Sequence, residues 1–133
     1  MVFRLGARSY GIDLDAVREI LRPRVATRLP GAPAAVLGLI NVRGRIVTVI
    51  DLGVTLGLRA APEPGAVILV EHGPKLVGAA VDEVIDVQRW SEEGLDAAPQ
   101  DVQAGGSVRA LATHEAGVVV VLDVHDVLSH VLA

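Results

Sequence analysis

Short apolar runs separated by turn residues recur along the whole chain, and their alternation reads as β structure from one end to the other. The clearest pair is Leu39–Val42 and Ile46–Ile50, rich in β-branched residues and joined only by Arg43-Gly44-Arg45, where the glycine supplies the positive φ of a tight hairpin. In the second run Ile46, Thr48 and Ile50 share one face and Val47, Val49 and Asp51 the other, so the strand is predicted to be covered on both sides. Charge is confined to the tip. Asp51 is placed to cap a short helix built from Leu52, Val54, Leu56 and Leu58, which Gly57 weakens.

Before this hairpin, Val2–Leu5 and Arg8–Asp13 flank Gly6-Ala7 and form a first hairpin, with Phe3, Leu5, Tyr10 and Ile12 on its buried side. Across Asp15–Arg22, Ala16, Val17, Ile20 and Leu21 fall at helical spacing, which predicts a short helix or a helix passing into a strand, closed by Pro23. Pro30-Gly31-Ala32-Pro33 is a rigid turn, and Ala34–Leu37 follows as one turn of helix. Ala60–Gly65, with Pro62 and Pro64, is the expected joint between two halves.

The second half repeats the style. Ala66–Val70 and Leu76–Val81 form a hairpin across Glu71–Lys75, the alternation from Val84 gives a strand ending at Trp90, and residues 91–106 read as a polar, Gly-rich loop. Val108–Ala112 and Val118–Leu122 make a last strand pair. Val124, Val127, Leu128, Val131 and Leu132 then fall on one face of an amphipathic helix capped by Asp123, expected to pack as a lid. About nine or ten short strands at regular spacing predict a barrel or sandwich.

The length of 133 residues is that of one compact domain, 1–133, with approximate halves 1–62 and 63–133 between which strands can cross over. An apolar fraction of 51% excludes a disordered chain, and with Phe3, Tyr10 and Trp90 as its aromatics the core must be built from Val, Leu, Ile and Ala. The absence of Cys removes disulfides, thiolate metal sites and cysteine nucleophiles. No apolar run approaches the roughly 20 residues of a membrane-spanning helix, so a soluble protein without membrane insertion is expected. The net charge of −4 hides a division: residues 1–62 hold nine Arg against Asp13, Asp15, Glu19 and Asp51, whereas residues 63–133 hold Lys75, Arg89 and Arg109 against twelve acids. Halves of opposite sign suit a module that meets different partners at its two ends, or copies of itself head to tail, although small proteins often divide their charge this way.

Catalytic constellations fail one after another. His125 and His130 lie about 140° apart on their helix at roughly 100° per residue and do not share a metal easily, while His72 and His114 sit in turns, so all four read as plain surface histidines. Gly105-Gly106-Ser107 matches neither a phosphate loop nor a dinucleotide fingerprint, and Asp82-Glu83 and Glu92-Glu93 read as solvated acidic pairs. Neither an enzyme, a cofactor nor a metal is expected. A small β-barrel binding single-stranded nucleic acid is a remote alternative, since the aromatic platforms and positive charge it needs are lacking. What remains is a binding module.

The motifs name one. Gly38-Leu39-Ile40-Asn41-Val42-Arg43-Gly44 followed by Ile46-Val47-Thr48-Val49-Ile50-Asp51-Leu52 resembles the central signature of CheW-like domains, the adaptors of bacterial chemotaxis. Tyr10–Asp13 with Val17–Ile20 is similar to the opening of the family, Leu29–Pro33 to its loop before the signature, Val77–Val84 to its second-lobe motif and Leu122–Val124 to its ending. The resemblance implies a mainly β fold of two small five-stranded β-barrel lobes with short helices and a C-terminal helix. It implies a non-catalytic cytoplasmic adaptor recruited to membrane receptor arrays. Its partners would be the cytoplasmic tips of methyl-accepting chemotaxis receptors and the regulatory domain of the histidine kinase CheA, which alternates with the adaptor in rings through contacts between opposite lobes. Thr48 stands where the family commonly has proline. A coupling protein of a pilus- or gliding-type pathway, or a regulatory input domain of a kinase, are the alternatives.

Carried over by motif, Val17, Glu19, Gly38, Ile40, Asn41, Val42, Arg43 and Gly44 are the candidate partner-binding residues. Glu19 and Arg43 are expected to pair and orient the binding face, against the plainer reading of a solvated tip. Val17, Ile40 and Val42 are expected to line an apolar groove between the lobes or, equally, to pack in the core. Gly38 and Gly78 permit close backbone approach, Gly44 serves the turn, and Asp51 and Asp82 cap or form turns.

Overall fold

The computed structural model describes residues 1–58, 65–88, 95–96, 107–115 and 117–132. Strands β1 (Val2–Leu5), β2 (Arg8–Gly11), β3 (Val17–Leu21), β4 (Val36–Val42) and β5 (Arg45–Asp51) precede the short helix α1 (Leu52–Thr55). They are followed by β6 (Ala66–His72), β7 (Lys75–Val81), β8 (Glu83–Asp86), β9 (Leu95–Asp96), β10 (Val108–His114), β11 (Gly117–Leu122) and the closing helix α2 (Val124–Leu132). Two sheets result, a five-stranded one in the order β3-β6-β7-β5-β4 and a six-stranded one in the order β8-β1-β2-β11-β10-β9. The fold is mainly β and two-lobed, as expected. It differs in that the second lobe holds six strands, and among the described residues no strand pairing joins the two edges of either sheet into a closed barrel.

The lobes are interleaved in sequence. The hairpin β1–β2 joins the later strands through a parallel pairing of β2 with β11, and β6–β7 joins the earlier ones through a parallel pairing of β7 with β5. The charge boundary near residue 62 therefore does not coincide with the boundary between the sheets.

Three apolar clusters explain the pattern of the strands. On β6, Val67 and Leu69 face a cluster with Leu21, Ile40, Val42, Val47 and Val49 inside the first lobe. The alternate residues Ile68 and Val70 face a larger cluster shared by the two sheets and helix α2, with Phe3, Tyr10, Ile50, Leu52, Val127 and Leu128. Buried on both faces, β6 reads as an uninterrupted apolar run rather than an alternation. The third cluster, of Val2, Ala110, Ala112, Val119 and Val121, fills the second lobe. β5 is covered on both sides over most of its length, but Ile46, next to the hairpin tip, is 61% exposed because the shared core does not extend that far.

Several local expectations shift. Residues 14–16 form one turn of 3-10 helix that passes directly into β3, with the Asp13 carboxylate accepting from the Asp15 N–H. The helical turn expected at Ala34–Leu37 is instead a turn closed by Val36 N–H to Pro33 O, because Val36 and Leu37 are claimed by β4, with Val36 opposite Ile50. β8 stops at Asp86 rather than running on to Trp90, and Leu95-Asp96, expected as loop, pairs with Leu111 and Ala112. Trp90, residues 60–64 of the joint and most of the 91–106 segment lie outside the described residues. Asp51 caps α1 through the Val54 N–H at 3.1 Å, and Asp123 caps α2 through the Asp126 N–H at 3.2 Å, both as the sequence indicates.

Candidate functional site: the seam of the first lobe

The five-stranded sheet leaves β3 and β4 as its two edges, and the candidate residues gather where these edges face each other. A register irregularity between Val17 and Glu19 sets Glu19 opposite Leu69, so its side chain leaves β3 on the inner face of the lobe. Across the opening, β4 and β5 turn back on themselves through Arg43 and Gly44, whose φ values of 50° and 82° are those of a type I′ hairpin. Left-handed backbone is unfavourable for a residue with a Cβ, and Arg43 is held there by its neighbours. The Asn41 Oδ1 accepts a hydrogen bond from the Gly44 N–H at 2.8 Å and closes the turn. The loop is thus two residues long, Arg45 already belonging to β5.

Arg43 then reaches across the opening to Glu19. Its Nη1 donates to Oε1 at 3.1 Å and its Nη2 to Oε2 at 2.5 Å, a two-point contact between planar groups. These hydrogen bonds hold the Glu19 carboxyl below its ordinary range, against the opposing effect of desolvation and with the charges of Arg43 and Arg24 adding to them. The Arg43 guanidinium is shifted upward by the same contact.

The chain between β3 and β4 completes the seam. Arg24 donates from Nη1 to the backbone oxygen of Asn41 at 3.0 Å, and Thr27 exchanges two hydrogen bonds of 2.8 Å with Leu39 on the open edge of β4. Gly38 makes that approach possible. A Cβ built at Gly38 would lie 2.2 Å from the Thr27 oxygen, and its φ of 144° also disfavours a side chain. The expected role of Gly38 in close backbone approach is therefore visible in the geometry, whereas a Cβ at Gly78 would meet side chains, Val67 at 2.9 Å and Val49 at 3.2 Å.

The candidate residues divide by position. Glu19, Asn41, Arg43 and Gly44 come together at one end of the seam, with Gly38 further along β4. Ile40 and Val42 are buried in the first lobe's own cluster, while Val17 is half-buried against the cluster between the sheets. These three do not line a common groove, because they point to opposite faces of one sheet. Arg24 and Thr27, which the sequence reading passed over, belong to the seam; the proline-punctuated, arginine-rich run after β3 was their only signal. Exposed apolar residues flank it, Ile46 opposite Asn41 and Val25, 99% exposed, beside Arg24.

Elsewhere the polar groups serve the fold. The Asp82 carboxylate accepts from the Gly6 N–H at 2.7 Å, in the β1–β2 turn, and lies 3.5 Å from Arg4. His114 is not the plain surface histidine expected: its Nε2 lies 2.9 Å from Asp86 Oδ2, largely out of solvent. Among the described residues, no group of three or more His, Asp or Glu gathers as a metal centre. No helix in this part of the chain is long and apolar enough to cross a membrane.

Comparison with known proteins gives the family and the fold. The model of the CheW-like domain matches residues 1–132. The chain belongs to the CheW-like domain family. It is 36% identical over 102 residues to the chemotaxis protein CheW of Rhizobium meliloti (strain 1021), a match covering 74% of this chain and 65% of that protein. To the chemotaxis protein CheW of Treponema pallidum (strain Nichols) it is 31% identical over 138 residues, covering 97% of this chain and 81% of the relative. The crystal structure of the scaffolding protein TtCheW from Thermoanaerobacter tengcongensis superposes with a TM-score of 0.83 at 28% identity, over 95% of this chain and 88% of that one. This CheW-like chain spans about two thirds of the length of the Rhizobium relative.

Proposed function

We propose that the protein, as one CheW-like domain, is a non-catalytic cytoplasmic adaptor of chemotaxis that couples methyl-accepting receptors to the regulatory domain of the histidine kinase CheA at receptor arrays. Its mechanism is scaffolding: it holds the two partners in a fixed geometry, so that a change in the receptor biases the kinase. The observation that carries the reading is the Glu19–Arg43 pair, a two-point charged contact at a hairpin tip that faces solvent beside the exposed Ile46 in a chain of this family. An isolated exposed ion pair adds little to stability, so a two-point one at a hairpin tip is better explained by what it presents.

In this reading Arg43 and Glu19 orient the contact face, with Asn41 and Gly44 fixing the turn that carries Arg43. Gly38, Ile40 and Val42 support that face from the core side and Val17 from the inter-sheet side. The test is titration calorimetry against the kinase regulatory domain and against a receptor-tip fragment. Saturable binding that weakens in Arg43→Ala and Glu19→Ala, with the folded signal intact, is expected. A folded protein that binds neither partner at tens of micromolar would move the function to another pathway.

A further inference from the structure

His72 ends β6 and His125 lies in the first turn of α2, and their imidazoles meet although 53 residues separate them in the chain. The two Nδ1 atoms are 3.4 Å apart, the ring centroids 5.6 Å, and the ring planes lie within 21° of parallel. The centroid distance exceeds the nitrogen distance by about the two ring radii, so the rings meet edge to edge with Nδ1 facing Nδ1. Two N–H groups cannot face each other in this way, so at least one nitrogen presents its lone pair to the other. The contact is exposed, and it ties a strand of the first lobe to the helix that closes the chain's shared core.

We propose that His72 and His125 form a binding site for a divalent transition-metal ion of the zinc, nickel or copper class, held through the two Nδ1 atoms. With metal–nitrogen bonds of about 2.0–2.1 Å and tetrahedral angles, two imidazole nitrogens on one ion stand about 3.3–3.4 Å apart, which is the separation found. The ion sits off the line joining the nitrogens, so each ring turns by about 35° to bring its lone pair onto it under tetrahedral geometry. The surroundings favour a cation. Asp13, Asp15 and Asp123 line, with His125, a crevice of about 350 Å³, where Arg109, 4.0 Å from Asp13, is the opposing cationic side chain among the described residues. Glu71, beside His72, is engaged by Arg18 at 2.7 Å, and Lys75, opposite His72 in the β6–β7 register, is the nearby charge that works against the ion. Since no third His, Asp or Glu joins the pair among the described residues, water fills the remaining positions and the ion exchanges. Imidazole ligands select transition metals over magnesium and calcium, which take oxygen ligands.

A cross-link between β6 and α2 that exists only in the folded chain stabilises it by mass action. The experiment uses the full chain without a histidine tag, titrated with zinc chloride and with nickel chloride by calorimetry and followed by thermal unfolding, with magnesium chloride as control. One equivalent of zinc or nickel is expected to bind saturably and raise the melting temperature, reversibly on adding a chelator. Binding is expected to be lost in both His72→Ala and His125→Ala and kept in His130→Ala. Zinc-induced shifts confined to the His72 and His125 ring resonances provide a second readout independent of folding stability. Absence of saturable binding, binding that survives either substitution, or binding lost in His130→Ala would overturn the proposal and leave the contact a hydrogen bond between two imidazoles.

Discussion

Two side-chain pairs span the open sides of the two sheets, and they differ in how much water they see. In the first lobe Arg43 reaches Glu19 from the β4–β5 hairpin to β3, with side chains 70% and 34% exposed. In the second, His114 at the end of β10 meets Asp86 at the end of β8, with side chains 17% and 28% exposed. Neither pair joins neighbouring strands, so each shows that its sheet curls until distant strands meet and that side chains, not ladder hydrogen bonds, bridge the gap. The shared geometry has opposite consequences. Removing a partner from a sheltered pair strands a polar group away from water, whereas removing one from an exposed pair leaves the other to be solvated. The sheltered pair serves the fold, and the exposed pair is free to serve a partner.

The largest effect is expected from breaking the backbone beside the exposed pair. Gly38→Val forces a side chain onto the Thr27 oxygen and a strained φ, and a loss of about 2–4 kcal/mol is expected in urea unfolding. Asp86→Ala comes next, since it leaves the sheltered His114 without this carboxylate; a cost of about 1–3 kcal/mol by the same measurement is expected. Asn41→Ala removes the hydrogen bond that closes the hairpin turn, at about 0.5–1.5 kcal/mol, and is expected to loosen Arg43 enough to weaken partner binding as well. Glu19→Gln should leave the unfolding midpoint within error.

Acidity sharpens the contrast. Because the hydrogen bonds from Arg43 hold the Glu19 carboxyl below its ordinary range, the pair's contribution is present above that range and is lost as pH falls through the lowered value. Partner binding that depends on the pair is therefore expected to persist through mildly acidic pH and then fall. A titration followed by calorimetry, with Glu19→Gln lacking that final step, checks this.

Much of the fold was legible because turn chemistry and apolar runs were unambiguous. The hairpin around Arg43-Gly44, the caps Asp51 and Asp123 and the face of α2 all stand where the residues indicate. The Asp15–Arg22 segment misled in part: Ala16, Val17, Ile20 and Leu21 fit a helix face, but the chain runs as a strand with an irregularity between Val17 and Glu19, which buries Leu21, half-buries Val17 and leaves Ile20 37% exposed. The start of β4 was hidden for a similar reason, since alanines before Val36 carry no periodicity. The pairing of Glu19 with Arg43 was anticipated. The rest of the seam was not, because Arg24 and Thr27 act only where the chain returns along an edge that local sequence does not announce. The meeting of His72 with His125 was invisible for the same reason, being set by how α2 packs against the two sheets.

The central claim is that the Glu19–Arg43 tip acts in contact rather than in folding. The most direct test is to measure, in parallel, urea unfolding and calorimetric binding to the kinase regulatory domain for Arg43→Ala and for the unsubstituted chain. The expected result is an unchanged unfolding midpoint with binding weakened by about tenfold or more, the scale of an interface residue that matters. Binding that stays the same, or that falls only in step with a lost fold, would contradict it.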